Sequence, residues 1–165
     1  MRLSIFFTLL FYLGFTTLSF GQQKITSAEI KTLDQQTVDL ADIIKEKDFT
    51  VVSFWATWCK PCQSELDAIA ELYPDWKEEM DVQMIAITID TQRQLAKVPG
   101  IISTKGWEYT ILSDTNNTLR NQLGFQAIPQ TYIVDKEGNI LYNHSGYTAG
   151  DEYELEEKLT ELSEK

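Results

Sequence analysis

One pattern narrows the fold more than any other in this chain: an apolar run, a tight turn, then two cysteines three positions apart at the start of an amphipathic stretch. Thr50 to Trp55 is apolar, β-branched and aromatic, the composition of a strand buried on both faces. Cys59-Lys60-Pro61-Cys62 follows, and these are the only two cysteines in the sequence. From Lys60 onward the residues separate at helical spacing. Cys62, Leu66, Ile69, Ala70, Leu72 and Tyr73 share an apolar face, and Lys60, Gln63, Ser64, Asp67 and Glu71 a polar one. The helix is expected to run to Tyr73, where Pro74 interrupts it. On a helix, residues i and i+3 lie about 5–6 Å apart at Cβ, and a disulfide accepts Cα separations of about 4.4–6.8 Å. The pair can therefore close and open without unfolding its surroundings. Such a pair is a two-electron switch.

The remaining pattern supplies a sheet around that strand. Residues 25–40 suggest an amino-terminal hairpin, and Leu40 to Lys45 a short helix. Val82 to Ile89 reads as a second buried strand. Gln92 to Thr104 reads as a helix broken at Pro99-Gly100. Tyr109 to Leu112 is a short strand, and Thr115 to Leu123 a helix stopped by Gly124. Thr131 to Val134 and Ile140 to His144 form a closing hairpin around Lys136-Glu137-Gly138-Asn139. Asp151 to Leu162 is an amphipathic last helix. Strands joined by helical crossovers predict an α/β domain whose parallel sheet is covered on both faces. The closing hairpin makes the sheet mixed. Chemistry in such sheets lies beyond the carboxyl ends of the strands, which is where Cys59 falls.

Residues 1–21 differ from the rest. Arg2 is followed by Leu3 to Phe20 without a charge, then by Ser19-Phe20-Gly21. A positive start, an apolar run and small residues before the break read as a signal peptide cleaved after Gly21. The alternative is a membrane anchor through residues 3–20, slightly short of the about 20 residues that typically span. Both readings export residues 22–165 as one domain, into a compartment where disulfides persist. The net charge of −11 becomes −12 once Arg2 is removed. So acidic a surface argues against nucleic acid and anionic membranes as partners.

The thiols take distinct roles. Cys59 sits where unpaired helix N–H groups and the helix dipole favour an anion, which makes it the attacking thiolate. Lys60 adds a neighbouring cation, and Pro61 fits the first helical turn because no N–H partner is lost there. Both tune the couple. Cys62, one turn in, is the resolving thiol. A static staple gains little from a four-residue loop. Two thiols and the distant His144 do not fill a zinc site, and His144 is expected to be a solvated residue on an edge hairpin. Glu65 falls inside the apolar sector between Ile69 and Leu72. Desolvation there raises a carboxyl pKa and permits proton exchange with a cysteine; on periodicity alone a glutamate reaching water from the stripe edge fits equally well.

Phe54-Trp55-Ala56-Thr57-Trp58-Cys59-Lys60-Pro61-Cys62 resembles the active-site strand and turn of thioredoxins. Met84 to Asp90, the extra helix after it, Gly106-Trp107, Leu112-Ser113-Asp114, Ile128-Pro129-Gln130-Thr131 and Val134 to Gly138 resemble the exported TlpA-like branch, which includes the disulfide reductants of cytochrome c maturation. The resemblance spans residues 25–163. It implies a thioredoxin fold with an amino-terminal β-hairpin and an inserted helix, and a bacterial periplasmic location. It also implies a cis Pro129 beside the sulfurs, with the backbone of Ile128 pairing with the bound partner chain. A functional acid three residues after the second cysteine is carried over to Glu65. Ser53 stands where ordinary thioredoxins carry a buried aspartate, so it cannot supply that acid. Trp58 is expected to contribute contact surface for the partner, and Trp55 to belong to the core.

The function these features imply is reduction of disulfides in exported proteins. No flavin or nicotinamide fingerprint is present, so electrons would come from a separate membrane or periplasmic donor, and neither a cofactor nor a metal is expected. Two other classes share parts of the pattern. A thiol peroxidase of the same fold carries a threonine three residues before its reactive cysteine; Ala56 stands there, and Thr57 is one position too close. A soft-metal module would use Cys59 and Cys62 to hold Cu(I).

Overall fold

Strand β3 (Phe49–Trp55) lies inside the sheet with a partner on each side, as its largely apolar, buried run requires. It pairs in parallel with β4 (Val82–Thr88) and antiparallel with β6 (Gln130–Asp135). The computed structural model describes residues 24, 25 and 27–165. The leader or anchor expected over residues 1–21 lies outside them. No helix among the described residues is long and apolar enough to cross a membrane.

The hairpin β1 (Glu29–Thr32) and β2 (Thr37–Asp39) precedes the short helix α1 (Leu40–Ile44), and α2 (Lys60–Glu79) follows β3. After β4 come α3 (Gln92–Leu95), α4 (Val98–Lys105), β5 (Thr110–Ser113) and α5 (Thr118–Leu123). β6 then pairs with β7 (Ile140–Ser145), and α6 (Asp151–Ser163) ends the chain. The strands form one seven-stranded sheet in the order β2-β1-β5-β4-β3-β6-β7. Only β3–β4 and β4–β5 are parallel. This is the mixed α/β sheet of the thioredoxin fold, with the amino-terminal hairpin docked on β5 and the inserted helices between β4 and β5.

Leu66, Ile69, Tyr73 and Trp76, buried on the apolar stripe of α2 together with Cys62 and Glu65, pack that helix onto the core. Trp55 is fully buried and meets Trp107 edge-on at 5.2 Å, a core residue as expected.

Pro74 does not end α2, which runs on to Glu79. An interior proline costs about 3 kcal/mol. Trp76, beyond it, is 1% exposed, and burying an aromatic of that size returns about 4–6 kcal/mol. The tryptophan also donates from Nε1 to Glu156 of α6 at 2.8 Å. The break expected at Pro99-Gly100 falls instead at Ala96-Lys97, and Pro99 lies in the first turn of α4. A proline at that position opens a helix, because its missing N–H has no partner to lose. α5 starts at Thr118, three residues later than expected. Asp114 accepts from the backbone N–H of Arg120 at 2.9 Å and satisfies part of the helix start from outside it.

Gly138 closes the β6–β7 turn at φ +83°, and its carbonyl accepts from Ile25 N at 2.8 Å. A Cβ there would stand 2.3 Å from the Ile25 carbonyl oxygen. Gly138→Ala should therefore lose about 2 kcal/mol of stability, from the left-handed backbone and the contact together. Urea unfolding checks this; an unchanged midpoint would show that neither the left-handed backbone nor the Ile25 contact is strained by the added Cβ.

Candidate active site

The turn that carries the first thiol is held from below. Ala56 accepts from Cys59 N at 3.0 Å, and Trp55 from Ile89 N at 2.9 Å. Asp90, fully buried at the carboxyl end of β4, accepts from Thr57 N at 2.8 Å, Thr57 Oγ1 at 2.9 Å and Thr88 Oγ1 at 2.7 Å. Gln63 Nε2 donates back to the Thr57 carbonyl at 2.9 Å. No local pattern in the sequence gives Asp90 a role. The available signal was its position: an acid directly after an apolar strand, on the edge where the cysteine turn emerges.

Cys59 caps α2, and its sulfur accepts from Cys62 N at 3.3 Å. Cys59 and Cys62 form a disulfide with Cα atoms 5.3 Å apart, inside the range that the helical spacing provides. Pro61 occupies the first turn, and Lys60 is exposed beside the pair. Cys62 is fully buried. Cys59, the thiol nearer the surface by its place at the helix start, is itself only 6% exposed, because its sulfur turns inward to Cys62 and toward Ile128. Trp58 next to it is 60% exposed.

The Ile128–Pro129 peptide is cis. The Ile128 carbonyl oxygen lies 3.9 Å from Cys59 Sγ. A disulfide sulfur carries no proton, so this is a contact and not a hydrogen bond. It brings two segments remote in sequence to the same sulfur.

Glu65, one turn beyond Cys62, is 4% exposed. It accepts from Ser53 Oγ of β3 at 2.8 Å and from Thr131 Oγ1 of β6 at 2.8 Å. Burial raises its pKa from 4.5 to about 7, against the opposing pull of those two hydroxyls. The structure thus selects the desolvated reading of Glu65 over the stripe-edge one. His144, expected to be solvated, is half-buried instead. Its Nε2 lies 3.0 Å from Asp151 Oδ2, because the start of α6 folds over β7. Among the described residues no three His, Cys, Asp or Glu side chains cluster as a metal site.

A model of the AhpC/TSA family matches residues 22–143. The chain belongs to that family. It is 29% identical over 112 residues to the thiol-disulfide oxidoreductase ResA of Bacillus thuringiensis. That match covers 68% of this chain and 62% of ResA, so the chain spans less than two thirds of that relative. A thioredoxin-like protein from Porphyromonas gingivalis, known as a solution structure, is 37% identical with a TM-score of 0.71, covering 85% of this chain and 92% of that one. StoA from Bacillus subtilis shares the fold at a TM-score of 0.64 and 19% identity, with 81% and 96% covered. The resemblance to TlpA-like thioredoxin-fold oxidoreductases is borne out by this company.

The raised pKa of Glu65 has a thermodynamic consequence. Between pH 4.5 and about 7 the folded state holds a proton that the unfolded state has released, so stability falls as pH rises through that window. The full loss is about 3 kcal/mol. Glu65→Gln removes it. In urea unfolding of the oxidised proteins, the variant should gain about 3 kcal/mol on wild type between roughly pH 4 and pH 8. A gap that does not change with pH would show that Glu65 is not the shifted group.

Proposed function

We propose that this chain is an exported thiol–disulfide oxidoreductase that reduces disulfides in other exported proteins. The observation that carries the reading is the Cys59–Cys62 disulfide at the first turn of α2, with the Ile128 carbonyl beside the outer sulfur. In the reduced protein the α2 N-terminus stabilises the Cys59 thiolate. That thiolate attacks a partner disulfide, and one partner sulfur leaves. The buried Cys62 then attacks Cys59, restores the internal disulfide and frees the second partner sulfur. Trp58 offers exposed aromatic surface to the partner, and the Ile128–Pro129 backbone lines its strand. Glu65 exchanges the proton of Cys62, one turn away. Lys60 and Pro61 tune the potential.

Electrons reach the disulfide from a separate membrane or periplasmic donor. The reading sets the domain in the bacterial periplasm, free after cleavage or anchored through residues 3–20. Cytochrome c maturation is the process the family resemblance points toward. The name of ResA supports the type of chemistry, and the short loop that the disulfide closes at the start of α2 supports exchange over a static staple.

Cys62→Ser should trap a mixed disulfide with a disulfide-bearing peptide, and a variant lacking Cys59 as well should trap none. Failure to trap any partner, with fast peroxide consumption by wild type, would replace this reading with a peroxidase. Equilibration with a thiol buffer should put the couple near −270 mV, the reducing end of thioredoxin scaffolds, and far from about −120 mV. A value at the oxidising end would reverse the direction of the reaction and leave the exchange mechanism in place.

A further inference from the structure

Glu65 is not isolated beneath the disulfide. Ser53 of β3 is in register with Thr131 of β6, and Thr131 with His144 of β7. Residues directly opposite on neighbouring antiparallel strands share a face, with Cβ atoms about 4.5–5.5 Å apart. The first two members of this row donate to Glu65. The third borders the same small cavity, whose walls are Glu65, Ile69, Thr131, His144, Asp151 and Leu155 among others. Its volume of about 10 Å³ is close to what one water molecule needs. On its other side the His144 side chain is 28% exposed and bonded to Asp151, which is 27% exposed.

From this juxtaposition we infer that His144, held by Asp151, relays protons between Glu65 and solvent through the cavity at the start of α6. The inference rests on the exchange reading above. Cys62 is fully buried, so its proton has no direct way to water. In the resolving step the Cys62 S–H bond breaks and its proton goes to a Glu65 oxygen. The Cys62 sulfur attacks Cys59, a new S–S bond forms, and the bond from Cys59 to the partner breaks. The partner sulfur departs with the electron pair, so the cysteine pair is oxidised by two electrons and the partner reduced. The proton on Glu65 then crosses one water to the His144 imidazole and leaves to solvent, which returns Glu65 to its carboxylate. Reduction of the disulfide runs the path in reverse.

An imidazole suits this position because one ring nitrogen can accept a proton while the other releases one. Burial holds the Glu65 carboxyl at about 7, so it too can take up and release a proton. The other titratable groups around Glu65 are accounted for. Tyr142 of β7 and Glu152 of α6 border the cavity. Tyr109, beside β5, and Tyr147, after β7, feel the Glu65 charge, and burial raises both phenols far from the neutral range. Asp151 opposes ionisation of Glu65, whereas His144 favours it. His144 thus combines a place on the cavity, a path to solvent and suitable proton chemistry.

The test separates attack from resolution in single-turnover reduction of a disulfide peptide. His144→Ala should leave attack by Cys59 unchanged and slow resolution by about tenfold, a modest share of a general acid–base effect. Added imidazole should restore the rate, which it would not do for a packing defect. His144→Gln keeps the bulk if the alanine variant folds poorly. Combined with Glu65→Gln, it should slow resolution no further than Glu65→Gln alone, because both act on one proton path. An unchanged resolution rate overturns the relay. So does a slowing that imidazole does not rescue and that adds to Glu65→Gln. Trapping by Cys62→Ser is measured alongside: if trapping succeeds and the relay tests fail, only the relay is wrong, and if trapping fails, the exchange reading itself falls.

Discussion

The pairing of β3 with β6, with Ser53 opposite Thr131, is the constraint on which the site rests. It puts two hydroxyls on one face, where both reach Glu65. It also fixes where β6 begins, and so brings Ile128 to Cys59 Sγ. A slip of one residue would send every side chain of β6 to the opposite face. Glu65 would lose Thr131, and His144 would lose its place in the row. Register is held firmly here because β3 is apolar, buried and paired on both sides.

That arrangement sets two demands against each other. A carboxyl in the core is costly to ionise, and two hydrogen-bonding hydroxyls do not compensate fully. The same imbalance brings its titration near neutrality, where a proton acceptor for a thiol is most useful. The outer parts of the site are built differently. The cysteine turn is clamped by backbone hydrogen bonds, Asp90 and Gln63, so the sulfur pair can change oxidation state over a rigid base. Membership of the AhpC/TSA family accounts for the scaffold. The chemistry still has to be argued from the residues around the sulfurs.

Much of this was legible in the chain itself. The strand-turn-helix pattern around Cys59 and Cys62, the succession of seven strands along the chain, and the odd position of Glu65 on an apolar face all follow from local spacing. What misled was local too. Pro74 reads as a helix stop, yet the burial of Trp76 beyond it outweighs the lost backbone bond. Pro99 reads as a break and opens a helix instead. Asp90 has no role in the local pattern and His144 reads as a solvated edge residue, because each gains its meaning from groups distant in sequence, Thr57 for one and Thr131 and Asp151 for the other.

The sequence by itself determined the elements and the reactive pair, because helical and strand periodicity and the reach of a disulfide are short-range properties. It also placed Glu65 by angle within the apolar sector of its helix, and left open whether the carboxyl reaches water from there or is buried. Only the tertiary structure decided how dry that carboxyl is, which hydroxyls hold it, which carbonyl touches the outer sulfur, and that the lone histidine borders the same cavity. Those depend on strand register and on the packing of α6 over β7. Desolvation and hydrogen bonding are summed over everything that surrounds a group, and no window of sequence contains those surroundings.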